Sequence, residues 1–315
     1  SALADLVFAR RRIYSPPVVS RDRRFYTGPY TAIMGAAALD APHTFVLKPL
    51  YRDGLVIIIK IPLQPIGATM NPTLQSLFDR KSVRNYTDQP ISPADKALIL
   101  RAAFEAPTAG NQMLYTIIDV TDPALKDRLA VTCDNQPFIA KAPLVLIFLA
   151  DQQRWYDTYL AAGQTPRTPQ QGDILLAFMD ACIAAQNAVV AAQSLGIGSC
   201  YIGDILENIE THRQLLNLPD YVIPAAMLVF GYPTEGQKQR QKPPRFDPRY
   251  IVAENGYRQL SPAELEEMYL ERERRAGKTE VDFRTSVGAC CARKYMSDFS
   301  VEMSRSAAQY LEQFK

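Results

Sequence analysis

The sequence predicts an α+β domain, with helices and strands mixed and no regular alternation, and three observations predict it. A long apolar segment, Gly172 to Leu195, carries charge only at Asp173 and Asp180. Three short runs, Leu114 to Val120, Leu144 to Leu149 and Ile223 to Phe230, are apolar or β-branched and have the length of strands. Capped helices fall between them at uneven spacing, which marks α+β and not repeated βαβ units.

Met70 opens the patterned part of the chain. Asn71-Pro72 followed by Leu74, Leu77 and Phe78 predicts a short helix with proline in its first turn. Ser92-Pro93-Ala94-Asp95 is a helix start with a capping side chain, and Ala97, Leu98, Ala102 and Ala103 recur at helical spacing. Leu114 to Val120 is bounded by polar turns and predicts a strand. Leu144 to Leu149 follows Pro143 as an unbroken apolar run, the signature of a strand covered on both faces. Gly172 to Leu195 predicts a core helix, apolar nearly all round and ended by Gly196. Gln186, Asn187 and Gln193 argue against its crossing a membrane. Ile223 to Phe230 predicts another buried strand. After Pro262, Ala263 to Arg275 is a charged helix.

Composition narrows the function. The apolar fraction is 47%, the charged fraction 22% and the net charge +2, which favours no class of partner. Residues 1–69 hold nine Lys/Arg against four Asp, and the rest is slightly acidic, so the chain does not read as a nucleic-acid binder. Residues 1–69 are expected to be a basic extension outside the core, with the domain over 70–315. Their one apolar stretch, Leu55 to Ile59, is far short of the roughly 20 residues of a membrane helix. Cys133, Cys182, Cys200, Cys290 and Cys291 show neither metal-ligand spacing nor a disulfide framework. Only His43 and His212 are available for histidine chemistry. A reducing, cytoplasmic setting is expected.

Three segments can carry chemistry. Arg80-Lys81-Ser82-Val83-Arg84 places two guanidiniums, an ammonium and a hydroxyl within five residues, a set that grips a phosphate through charge-assisted hydrogen bonds. A solvated basic turn has the same composition. Ala106-Pro107-Thr108-Ala109-Gly110-Asn111-Gln112 combines small residues, which let backbone approach a flat ring, with amides that read donor and acceptor edges. By itself it is also an ordinary polar loop. Gly196-Ile197-Gly198-Ser199-Cys200-Tyr201-Ile202-Gly203-Asp204 follows a helix and has Tyr201 where the dinucleotide fingerprint needs glycine. It offers either backbone N–H groups to a ligand or a tightly packed helix stop. Gly277-Lys278-Thr279 lacks the upstream glycine of a P-loop, the position being Arg272.

In this order the segments resemble the nitroreductase (flavin reductase) family, over about Thr73 to Phe314. The family's opening motif stands as Arg80-Lys81-Ser82-Val83-Arg84, and Ala106 to Gln112 is similar to its alanine–proline loop. Asn135-Gln136-Pro137-Phe138 through Pro143, Tyr201-Ile202-Gly203 and Gly231-Tyr232-Pro233 follow. Lys242-Pro243-Pro244-Arg245 through Glu254-Asn255 resembles the tail of the larger NADPH-preferring branch, with one proline more than usual between the basic residues.

The resemblance implies a mostly antiparallel sheet flanked by helices, and a homodimer exchanging a C-terminal arm that includes Ser304-Arg305-Ser306 and the helix after it. It implies FMN contacts at Arg80, Lys81, Ser82, Val83 and Arg84, at Thr108, Ala109 and Asn111, at Gln136, and at Tyr201, Ile202 and Gly203. Arg245 and Lys242 then meet the phosphate, and the Gly203 N–H lies near flavin N5 as the catalytic contact. Implied chemistry is hydride transfer from NADPH or NADH through FMN to a nitroaromatic, quinone, flavin or similar planar acceptor, by alternation of donor and acceptor at one site. A non-catalytic FMN store and an FMN enzyme of dehydrogenation or dehalogenation would keep the same contacts. Arg272, Arg275 and Lys278 are possible holders of the NADPH 2′-phosphate or members of a solvated helix face. Acceptor choice is expected around Tyr156, Tyr159 and residues 163–171.

Overall fold

The computed structural model describes residues 71–315 and the backbone of two strands, 49–52 and 55–58. The chain divides into two units, Ser1–Ala68 and Thr69–Lys315. In the first, β1 (Pro49–Arg52) and β2 (Leu55–Ile58) pair antiparallel, Arg52 opposite Leu55. The basic residues at 10–12 and 21–24, and His43, lie outside the described residues.

The second unit opens with α1 (Pro72–Asp79), α2 (Pro93–Phe104), β3 (Tyr115–Asp119), α3 (Pro123–Thr132), β4 (Leu144–Asp151) and α4 (Gln153–Ala161). There follow α5 (Gln171–Ser194), β5 (Gly198–Ile202), α6 (Ile209–Leu216), β6 (Val222–Gly231), α7 (Glu235–Gln239) and α8 (Pro248–Ile251). Last come α9 (Pro262–Arg275), α10 (Phe283–Lys294) and α11 (Asp298–Glu312). The cap expected at Ser92 forms, its Oγ accepting from Asp95 N at 3.0 Å, and Asn71 Oδ1 caps α1 in the same way, accepting from Leu74 N at 2.9 Å. Ser261 and Glu264 complete a capping box at the charged helix.

Strands β3-β4-β6-β5 form one antiparallel sheet, so the α+β expectation is borne out. Every residue of β4 and β6 is buried, which explains their unbroken apolar runs. Along β4 the pleat sends Leu144, Leu146, Phe148 and Ala150 to one face and Val145, Ile147 and Leu149 to the other. Along β6 this parity reverses. Ile223 and Ala225 share a face with Leu228 and Phe230, because the register slips opposite Phe148 and Leu149. Pro224, which has no N–H to give the ladder, sits at this slip.

Helix α5 covers the first face through Ile174, Ala177, Ala181, Ala184, Ala188 and Ala192, small side chains that let it lie close to the sheet. Burial nearly all round was expected, and here the structure corrects the sequence. Leu175 is 59% and Met179 55% exposed, and Leu176 and Ile183 are exposed beside them. Apolar composition requires a cover, but it does not say that the same chain provides it. Helix α1, packed on the C-terminal part of α5, leaves Leu74, Leu77 and Phe78 exposed.

Helix α11 packs on its own chain: Ser306 Oγ accepts from Ile209 N at 3.1 Å, Arg305 pairs with Glu210, and Tyr310 and Phe314 enter the core.

Candidate active site

Three stretches far apart in sequence meet at one basic cleft. Val83 N donates to Ser199 O at 3.0 Å, and Ser82 pairs with Ser199 in a parallel bridge, so the 80–84 segment lies along β5. Gly198 permits this, since a Cβ there would stand 2.4 Å from Val83 Cγ2. Buried Gln237 ties the tail to the same place, accepting from Arg84 N at 3.4 Å and donating to Ser82 O at 3.3 Å. Lys81 Nζ donates to the carbonyls of Lys238 and Arg240, and Lys242 Nζ to Phe78 O at 2.7 Å.

The result is a cavity of about 190 Å³ lined by Arg80, Lys81, Ser82, Arg84, Arg240, Gln241, Lys242, Pro243 and Arg245. Among the described residues, none of its six cations pairs with a carboxylate. Burial, then the charges of Arg245 and Arg80, hold the Lys242 ammonium below its ordinary pKa. Crowded cations without counter-charges fit a terminal phosphate. The cavity is smaller than the roughly 300–1,000 Å³ of a ring-binding pocket, so a flavin ring must lie outside it.

Beyond β5 the chain turns at Gly203. This residue is exposed, nothing lies within 4 Å of its missing Cβ, and its N–H donates to no group among the described residues. Tyr201 is part-exposed and donates its hydroxyl to Gln186 Oε1 at 3.2 Å, whereas Ile202 is a core side chain. Gln136 Nε2 donates to Asp204 Oδ2 at 2.7 Å and to Cys133 O at 2.8 Å, which sets it beside this turn.

The 106–112 loop is organised elsewhere, by Asp180. This carboxylate, buried in α5, accepts from the Thr108 hydroxyl, from Ala109 N at 3.0 Å and from Leu114 N at 3.2 Å. Gly110, Asn111 and Met113 take positive φ, a tight coil that the short polar residues permit. Gln112 and Trp155, Tyr156, Tyr159 and Arg167 line a neighbouring cavity of about 320 Å³. Trp155 and Tyr159 stack with centroids 5.6 Å apart.

The structure therefore brings Arg80, Lys81, Ser82 and Arg84 together with Lys242 and Arg245, and Gln136 next to Gly203. Thr108, Ala109 and Asn111 do not line the basic cleft. The Thr108 hydroxyl and Ala109 N–H are occupied by Asp180, and Val83 is a packing residue whose N–H and carbonyl bond within the chain. Arg272 lies between Phe246 and Tyr269 and pairs with Glu273, Lys278 also pairs with Glu273, and Arg275 with Glu271. These three cations are held by the chain itself. Sequence reasoning missed Arg240, Gln237 and the organising role of Asp180. Only Asp180 left a usable signal, as a charge in the middle of an apolar helix.

The nitroreductase family pattern matches residues 77–232. An oxygen-insensitive NADPH nitroreductase of Salmonella typhimurium is 32% identical over 210 residues, 64% of this chain and 85% of that protein. An FMN reductase (NADPH) of Bacillus subtilis is 31% identical over 190 residues, 60% and 75% of the two chains. The solved NADPH:FMN oxidoreductase of Vibrio harveyi, in complex with NAD+, is 26% identical over 64% of this chain and 86% of that one, with a TM-score of 0.58. The fold and these relatives define the class, a flavin-dependent α+β oxidoreductase. The chain belongs to the nitroreductase family.

Proposed function

We propose that the basic cleft holds the phosphate of FMN and that the Gly203 turn presents its free N–H to the flavin ring. The chain is an FMN-dependent NAD(P)H oxidoreductase, a reading supported by relatives named NADPH nitroreductase and FMN reductase (NADPH). The observation that carries the site assignment is the cavity of six cations with no carboxylate among them. Bound FMN supplies the hydride relay from reduced nicotinamide to a two-electron acceptor. Arg80, Arg84 and Arg245 would hold the phosphate, and Lys81 and Lys242 brace the surrounding backbone. The Gly203 N–H would stabilise the charge that develops on the reduced ring. No side-chain nucleophile is needed.

The exposed apolar faces of α5 and α1 support a homodimer in which a second copy covers Leu175, Met179, Ile183 and Phe78. Loop 106–112 and the aromatic cavity then meet the flavin ring from the partner side, where a nitroaromatic, quinone or free flavin stacks. Catalysis resides in residues 70–315, and the five unpaired thiols suit a reducing cytoplasm. An absorption spectrum of purified protein tests the cofactor. Bleaching by NADPH in the absence of air and recovery with a quinone support the enzyme, and a colourless protein that takes up no FMN overturns the site.

A further inference from the structure

Behind the Gly203 turn lies a pair of carboxyl groups that hydride transfer at the flavin does not require. Asp204–Leu206 is a single 3-10 turn closed by Glu207, whose N–H donates to Asp204 O at 3.0 Å. The single turn sets Glu207 three residues after Asp204, whose carboxyl acts on that of Glu207 both through its charge and through a side-chain hydrogen bond. Glu207 is 4% exposed, and its Oε1 has no partner among the described residues. Asp204, by contrast, accepts from Gln136 Nε2 at 2.7 Å. A buried carboxylate with an empty oxygen is expensive, whereas a carboxylic acid can donate its proton to the neighbouring carboxylate.

Every element packed on this turn leaves Glu207 without a cation. The turn after α3 contributes Asp134 and the buried thiol of Cys133, and α6 contributes His212, which burial keeps toward its neutral form. Helix α11 contributes Glu302, which accepts from Asn208 N at 3.0 Å, while Arg305 is engaged by Glu302 and Glu210. Strand β6 brings no titratable side chain. Burial first, and then Asp204, push the Glu207 carboxyl up to about 7. Among the described residues no three His, Cys, Asp or Glu are arranged for a metal ion.

We propose that Asp204 and Glu207 together position the Gly203 turn, share one proton below neutrality, and above neutrality, where the pair is ionised, take that proton up when the cofactor at that turn becomes negatively charged. The proposal rests on the assignment of FMN to Gly203. In the balanced step, the hydride carries two electrons and one proton from reduced nicotinamide to the cofactor. Ionised Glu207 binds a second proton from solvent, and releases it when the hydride passes to the acceptor. Glu207 and Asp204 are positioning residues, since neither touches the cofactor.

The test equilibrates the full-length holoprotein with redox dyes from pH 5.5 to 9, for wild type, Glu207→Gln and Asp204→Asn. Relative to Glu207→Gln, the wild-type reduction equilibrium should fall on the order of tenfold as pH rises through neutrality, the scale of one added charge at an effective dielectric of about 20. Asp204→Asn should move that step to lower pH, because the neighbouring negative charge is gone. Infrared difference spectra of the FMN-free protein should show a protonated carboxyl band at pH 6 that is absent from Glu207→Gln. Parallel pH curves for wild type and Glu207→Gln overturn the coupling, and absence of the infrared band overturns the pair. A wild type that binds no FMN defeats the cofactor assignment and the coupling with it. The infrared band reports on the pair alone, so the two failures are told apart.

Discussion

The ammonium of Lys242 donates to Phe78 O at 2.7 Å, joining residues 164 positions apart. The contact closes the carboxyl end of α1, where the helix dipole favours a cation, and holds Lys242 next to Arg245 and Arg80. Arg245→Ala removes a cation from the cavity proposed for the phosphate and leaves this brace. FMN should bind about tenfold or more weakly, since a charge-assisted hydrogen bond contributes roughly 1.5–3 kcal/mol. Lys242→Ala should weaken binding and also loosen α1. Fluorescence of released flavin measures both, and salt should narrow each defect, because it screens the attraction that the variants have lost.

Asp180→Ala should unfasten the 106–112 loop. It removes one acceptor from a hydroxyl and two backbone N–H groups in the core, so a loss of roughly 2–4 kcal/mol is expected in urea unfolding. A variant as stable as wild type would show that the loop needs no such anchor.

Gly198→Ala drives a methyl into Val83. Overpacking at this point should destabilise by roughly 1–3 kcal/mol and shift the 80–84 segment, weakening FMN binding as well. Val83→Ala in the same chain relieves the contacts at 2.4 and 2.9 Å and leaves that to Cβ at 2.7 Å, so partial rescue is expected. The double variant's Tm and FMN affinity check this.

Met179→Glu, on the exposed face of α5, should give a monomer by sedimentation if a second copy covers that face. An unchanged sedimentation coefficient would place the dimer elsewhere.

Stability should fall as pH rises from about 5 to 8. Folded Glu207 titrates near 7 instead of its ordinary 4.5, so over that window the folded chain keeps a proton that the unfolded chain releases. Its contribution is complete below 4.5 and is lost as pH passes 7, on the order of 3 kcal/mol in all. In Glu207→Gln this loss should disappear from the urea midpoints across the same pH range.

Much of this was legible from residues alone. Ser92 announces its helix because a cap is a local hydrogen bond. The unbroken runs of β4 and β6 announce strands covered on both faces. Arg80–Arg84 could be flagged as basic, but a solvated turn has the same letters. The meaning of that segment depends on Arg240, Lys242 and Arg245, some 160 residues away, and on the absence of carboxylates around them. Asp180 was visible as a charge in an apolar helix, although not what it holds. The reversal of parity along β6 was not visible, because the register slip opposite Pro224 arises only from pairing with β4.

By itself, then, the sequence determined helices α1, α2, α5 and α9, strands β3, β4 and β6, the α+β class and the membership of a flavin-binding family, because periodicity, capping and short motifs act over neighbouring residues; β5 it read only as a glycine-rich turn. Tertiary structure alone decided which cations share a cavity, which face of α5 stays bare, that α11 folds back on its own chain, and that Glu207 meets Asp204. Those depend on burial and on charges brought together from distant positions, and the energy of a charge is set by its surroundings and not by its place in the chain.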